Sequence, residues 1–211
     1  MTLHGSTIGQ EFAILVHMKS LSLSRPHALI MAGIPGSGKT HFAKQFSDMF
    51  GTPIISPQEI SNYAGSGESA SILTELFLRE IMKTKESIII DAGGETQEER
   101  IELAEYLTKH GYTPLVVWVQ TDPRTAKKRA LRMGVDSSEF HDKSERFIMP
   151  HERERPLVIS GKHTYVTQAR AILKRVSAAR QAAPKPVSRK AESTRPVAPE
   201  TPGRNKHISI Q

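Results

Sequence analysis

The segment Gly33-Ile34-Pro35-Gly36-Ser37-Gly38-Lys39-Thr40 constrains this chain more than any other. It meets the spacing G-x-x-x-x-G-K-[ST], in which glycines let the backbone curl until successive N–H groups face one point and cradle a β-phosphate. Pro35, Gly36 and Ser37 fill the variable positions between Gly33 and Gly38. In such a loop Lys39 bridges the β- and γ-phosphates, and the Thr40 hydroxyl ligates Mg²⁺. The pattern carries this meaning only between a strand and a helix. Residues 28–32, Ala-Leu-Ile-Met-Ala, are a short apolar run that predicts a strand buried on both faces. Residues 39–50 are helix-forming, with Gly51 and Pro53 to stop them. That helix points the positive end of its dipole at the loop. ATP and Mg²⁺ are the expected ligands.

The rest of the chain repeats the strand-then-helix alternation. Strands are expected at 53–56, 87–91, 115–119 and 156–160, and helices at 69–83, 97–110, 123–133 and 164–177. In the helix at 69–83, Ile72, Leu73, Leu76 and Ile81 recur at helical spacing and mark its apolar face. Five short apolar strands separated by helices predict an α/β fold, a five-stranded parallel sheet covered on both sides in three α/β/α layers. Between residues 135 and 155 the alternation fails in a run of mixed charge, expected to be a solvated insertion, with a mobile lid or acceptor loop as the alternative. Three segments follow: a leader at 1–24 with an amphipathic stretch at 12–21, a domain at 25–177, and a tail at 178–211. In the tail five prolines break up Ala, Lys, Arg and Ser, a composition expected to be disordered.

Charge needs to be located before it is interpreted. The chain carries +7 in all. The tail holds seven basic and two acidic residues, a net +5, which leaves +2 for residues 1–177. The basic character therefore belongs to the tail and says little about what the domain binds. No apolar run approaches the ~18 residues of a membrane span, and no secretory leader is expected. The chain has no cysteine, which removes disulfides and thiolate metal sites and fits a cytoplasmic protein.

Outside the loop, the chemistry-bearing candidates are few. Asp91 ends the third strand, where a carboxylate can hold the Mg²⁺ water shell; a strand-end Asp can also cap a turn. Ala92, Gly93 and Gly94 follow it, so no acid stands directly after Asp91, and Glu95 is the nearest substitute. That favours phosphoryl transfer to a bound acceptor over dedicated hydrolysis. Arg129 and Arg132, three residues apart on one helical face, can close over phosphates as charge moves, or can be a solvated basic face. The nine histidines show no metal-ligand spacing.

With these residues placed, the chain resembles the small P-loop kinases related to phage-type polynucleotide kinase and the zeta-toxin group, which include AAA-like ATP-binding domains. The resemblance spans residues 28–176. It rests on the loop 33–40, the Ile-Ile-Ile-Asp strand ending at Asp91, and the helix with Arg129 and Arg132. It implies a nucleoside-kinase-like fold and a general base shortly after the second strand. Glu59 is the matching acid where the group uses Asp; a Glu there can equally be a surface acid near a helix start. The arginine that holds an acceptor phosphate in that group has no counterpart, only Ser61 or Asn62. The resemblance also places Gly161, Lys162 and His163, after the fifth strand, against the adenine base.

Two functions of different kinds follow. One is a kinase transferring the γ-phosphoryl group of Mg·ATP to a hydroxyl acceptor, either a small molecule or a nucleic-acid end tethered through the basic tail. The other is an ATP-dependent regulatory or binding ATPase whose tail engages a partner.

Overall fold

The computed structural model describes residues 26–92, 94–160 and 163–181, with side chains described as far as Val176 at the C-terminal end. The expected leader, the tail beyond Gln181, Gly161 and Lys162 lie outside the described residues.

The strands are β1 (His27–Ala32), β2 (Ile54–Ile55), β3 (Ile88–Ile90), β4 (Thr113–Gln120) and β5 (Leu157–Ser160). The helices are α1 (Lys39–Phe50), α2 (Pro57–Ser61), α3 (Gly67–Lys83), α4 (Gln97–Lys109), α5 (Pro123–Arg132), α6 (Ser137–Arg146) and α7 (Tyr165–Gln181). A 3₁₀ turn, Glu152–Glu154, precedes β5. All strand pairs are parallel, in the order β2-β3-β1-β4-β5. The sheet is the expected one.

Every residue of β1 is buried, because the strand is covered on both faces. Leu29 and Met31 point to one side, into a cluster with Phe42 and Phe46 of α1 and Ile172 and Val176 of α7. Ala28 and Ile30 point to the other, against Leu78 and Met82 of α3 and Leu107 of α4. A period-two strand thus feeds two cores, and the three-layer arrangement follows. Since β1 lies between β3 and β4, chain connections leave it in both directions, and the crevice beyond its C-terminal end is where such sheets bind ligands.

Two expectations need correcting. The polar run at 135–155 contains α6, capped by Asp136 and anchored by Phe140, which forms a small buried cluster with Ala126 and Ala130 of α5; Ile34 packs against that cluster. One buried aromatic in ten residues suffices to seat the helix but gives no periodic apolar signal. In α3 the sheet side covers Leu78 and Met82, and Ala70 is also buried, while Ile72 is 61% exposed and Leu76 41%. The apolar spacing there marks a broader face than the sheet can cover.

Candidate functional site

The phosphate loop owes its shape to close approaches that only glycine allows. Gly36 has φ +72°, and a Cβ on it would lie 2.2 Å from the Ala126 carbonyl oxygen and 2.9 Å from the Ala130 nitrogen. The loop is pressed directly onto the backbone of α5. Gly33, at φ +144°, would place a Cβ 2.7 Å from the Val119 carbonyl oxygen of β4. Within the loop the Ser37 N–H donates to the Ile34 carbonyl at 3.1 Å, and Thr121 Oγ1 donates to the Ser37 carbonyl at 2.9 Å. Gly38 caps α1 without a side-chain acceptor, and no acidic residue sits in the first helical turn. The first N–H groups of α1 therefore remain for an anion.

Lys39 Nζ donates to the carbonyls of Gly33 at 2.6 Å and Ile34 at 3.1 Å. Burial holds its ammonium below the ordinary lysine value; Asp91 and Glu95 oppose that shift, and Lys143 of α6 adds to it. Asp91, 9% exposed, is the converse: burial pushes its carboxyl up, while a hydrogen bond from Thr40 and the charges of Lys39 and Lys44 pull it down. Its Oδ1 has no hydrogen-bond partner among the described residues. A buried, unpartnered carboxylate oxygen beside a threonine hydroxyl is a donor set that suits Mg²⁺, which takes few protein oxygens and completes its shell with water and phosphate. Thr40 and Asp91 are the residues that would hold the ion.

A cavity of about 640 Å³ opens from the loop. Gly36 to His41, Arg129, Arg132, Tyr165 and Gln168 are among the residues that line it. The volume falls in the ~300–1,000 Å³ range of small-ligand sites. Tyr165 is fixed by its ring against Phe42, with centroids 5.5 Å apart, and by its hydroxyl on Met49 Sδ at 3.7 Å; burial pushes the phenol up. Gln168 Nε2 donates to the carbonyls of Ser160 at 2.6 Å and His163 at 3.0 Å, bracing the chain between β5 and α7. His163 lines the same cavity.

The structure thus brings together Lys39, Thr40, Asp91, Arg129 and Arg132. Glu59 lies on α2, whose N-cap Ser56 accepts from the Glu59 N–H at 3.4 Å. Its carboxylate pairs with Lys44 of α1 at 2.6 Å and is close enough to Asp91 to raise that carboxyl. Sequence reasoning missed Tyr165 and Gln168, although both fall on the inward side of α7 with Ala169 and Ile172. A glutamine interrupting that apolar stripe was the available signal. It also missed Arg100 of α4, which is buried at 1% exposure.

The model of the family described as AAA domain matches residues 29–146, more than half of the chain and all of the phosphate loop and α5. The chain belongs to that family. Among solved structures, a gluconokinase from Sinorhizobium meliloti is similar over 74% of this chain and 94% of its own, at 16% identity and a TM-score of 0.54. A shikimate kinase from Acinetobacter baumannii is similar over 76% and 98%, at 18% identity and 0.50. Kti12 from Chaetomium thermophilum, in complex with ADP-AlF3, is similar over 72% and 98%, at 16% identity and 0.56. No curated protein matches the chain. At these identities the likeness is one of fold: a small P-loop, kinase-like, ATP-binding domain. Among the described residues, no helix is long and apolar enough to cross a membrane.

Proposed function

We propose that this AAA-domain protein is a kinase that moves the γ-phosphoryl group of ATP to a hydroxyl acceptor. The observation that carries the reading is the meeting of Lys39, Thr40 and the buried Asp91 carboxylate at the open N-terminus of α1. Lys39 would leave its carbonyl partners for the phosphates, since an ammonium hydrogen bond to a charged oxygen is the stronger one. When bound to Thr40 and Asp91, Mg²⁺ would neutralise phosphate charge. Arg129 and Arg132, which line the same cavity as the loop, supply fixed positive charge where negative charge moves toward the leaving oxygen. The acceptor oxygen attacks the γ-phosphorus, the bond to the β-phosphate oxygen breaks, and ADP leaves. Glu59 is the candidate to take the acceptor's proton, held in place by Lys44. His163 and the chain that Gln168 braces form the base-facing side, with Gly161 and Lys162 in the intervening sequence. The names of two fold neighbours, a gluconokinase and a shikimate kinase, accord with a small hydroxylated acceptor.

The Lys44–Glu59 ion pair also supports a second reading, because it occupies the carboxylate that the transfer needs. In that reading the protein binds ATP to set a conformation for a partner. Labelled-ATP turnover with panels of sugar acids, nucleosides and 5′-hydroxyl oligonucleotides separates the two. The kinase reading expects one panel to raise turnover at least tenfold over water, and Glu59→Gln to remove that rise with ADP affinity unchanged. Turnover that no acceptor alters, beside intact ATP binding abolished by Lys39→Ala, would give the second reading. Steep salt dependence of turnover with oligonucleotides would point to the basic tail as a tether.

A further inference from the structure

Arg100 lies on the inward face of α4, with its side chain fully buried, and its guanidinium spends all its reach on three partners. Nε and Nη2 donate to Glu154 at 2.6 and 3.1 Å, and Nη1 donates to the carbonyls of Gly94 at 3.0 Å and Ile148 at 2.9 Å. Glu154, itself nearly buried, also accepts from the His151 N–H at 2.7 Å. The residue that follows, Arg155, has φ +47°, a left-handed conformation seldom taken by an arginine.

Each partner leads back to the phosphate site. Gly94 is pinned between Arg100 and the end of β1: a Cβ on it would lie 2.5 Å from the Met31 carbonyl oxygen. It sits in the short stretch between Asp91 and Glu95, both of which act on Lys39. Ile148 follows α6, and its N–H donates to the Glu95 carbonyl at 2.8 Å, while Arg146 pairs with Glu95 at 3.8 Å. At its middle, α6 is seated by Phe140 in a small cluster with Ala126 and Ala130 of α5, against which Ile34 of the phosphate loop also packs. The helix is therefore held at its middle by the Phe140 cluster and, through Ile148 just past its end, by Arg100.

We propose that Arg100, with Glu154, is a positioning residue that couples the phosphate loop to α6: it fixes the Asp91–Glu95 corner and the end of α6 as one unit, so that nucleotide bound at the loop also orders the helix. The pair touches no part of the nucleotide cavity. Its role rests on the nucleotide-binding half of the proposed function and not on the identity of the acceptor.

Hydrogen exchange of the full chain, with and without Mg·ADP, tests this. In the wild type, ADP is expected to slow exchange across 33–40 and, in the same titration, across 137–148. The double variant Arg100→Met, Glu154→Leu replaces the ion pair by apolar volume, a change that buried pairs often tolerate in stability. It should keep the protection at 33–40 and lose that at 137–148, a drop of about tenfold in the ADP-dependent factor. Arg100→Lys, which keeps the charge but not the fork, should fall between. Should the double variant not fold, Glu154→Gln serves the same readout. A folded variant with wild-type protection at 137–148 would overturn the proposal, as would a uniform acceleration over the whole chain, which would mark a purely structural pair. Absence of ADP protection at 33–40 in the wild type would instead sink nucleotide binding itself.

Discussion

Burial pushes the Asp91 carboxyl above its ordinary value of 3.8, and the pull of Thr40, Lys39 and Lys44 only partly opposes it. A carboxylate whose folded value is raised binds more protons in the native state than in the unfolded chain. Stability then falls as pH rises through that raised value, and at neutral pH the ionised group costs stability until something pairs with it. Asp91→Asn should therefore raise the melting temperature of the nucleotide-free protein at neutral pH. The same variant should lose the Mg²⁺-dependent part of ATP binding, measured by titration calorimetry with and without the metal; unchanged Mg²⁺ dependence would remove Asp91 from the site. Gly36 gives the opposite kind of prediction. Alanine there meets backbone atoms of α5, which cannot swing aside as a side-chain tip could, and it also meets a positive φ. Gly36→Ala should cost about 2 kcal/mol or more. Denaturant midpoints would show it, together with weakened ADP binding. Gly36 and Asp91 could be read from the sequence because their motif fixes their surroundings. Arg100 could not, because an arginine inside a helix reads as solvated until the fold supplies Glu154 and two carbonyls to receive it.

At the level of elements, what could be read depended on how many sides bury each one. The apolar runs at 28–32 and 115–119 mark strands buried on both faces, and the structure places β1 and β4 there with neighbours on either side. Helix α3 is covered on one side only, so its wide apolar pattern located the helix correctly while its exposed residues Ile72 and Leu76 could not be told from core. Helix α6 escaped because its anchor is a single side chain, and the Glu139–Lys143 pair that supports its exposed face looks like ordinary surface charge. Phe140 is therefore the residue on which α6 depends. Phe140→Ala should cost about 3 kcal/mol, the low end for a buried Phe, because its cluster is small. Since Ile34 of the loop packs against the same small cluster, ADP affinity should fall with stability. Equal ADP affinity in a destabilised Phe140→Ala would show that α6 and the loop are independent.

Over the whole molecule, Val176 is the last buried residue among those whose side chains are described, and α7 continues to Gln181. A chain cut after Gln181 should keep its melting temperature within the scatter of surface changes, about 0.5 kcal/mol, and its ADP affinity. A cut before Ile172 should not fold. The Arg100–Glu154 pair makes a second prediction at this scale, because it joins α4, the end of α6 and the approach to β5. Burial alone would raise the Glu154 carboxyl, but the bonds from Arg100 and the His151 N–H outweigh it and hold the group below its ordinary value of 4.5. For a depressed carboxyl, the native state binds fewer protons than the unfolded chain. Its contribution is present above the ordinary value and is lost as pH falls through the lower, folded one. Glu154→Gln should thus be less stable than the wild type by about 3 kcal/mol at neutral pH, where it leaves Arg100 buried with a neutral partner. The gap should begin to narrow only below the ordinary value of 4.5 and close as pH falls through the lower, folded one. The urea midpoints of the two proteins should therefore stay apart at neutral pH and approach each other progressively in acid. Asp91 shifts the other way, but it is common to both proteins and cancels in the difference. A gap that stayed constant with pH would mean that the shape of Glu154, and not its charge, holds these segments together.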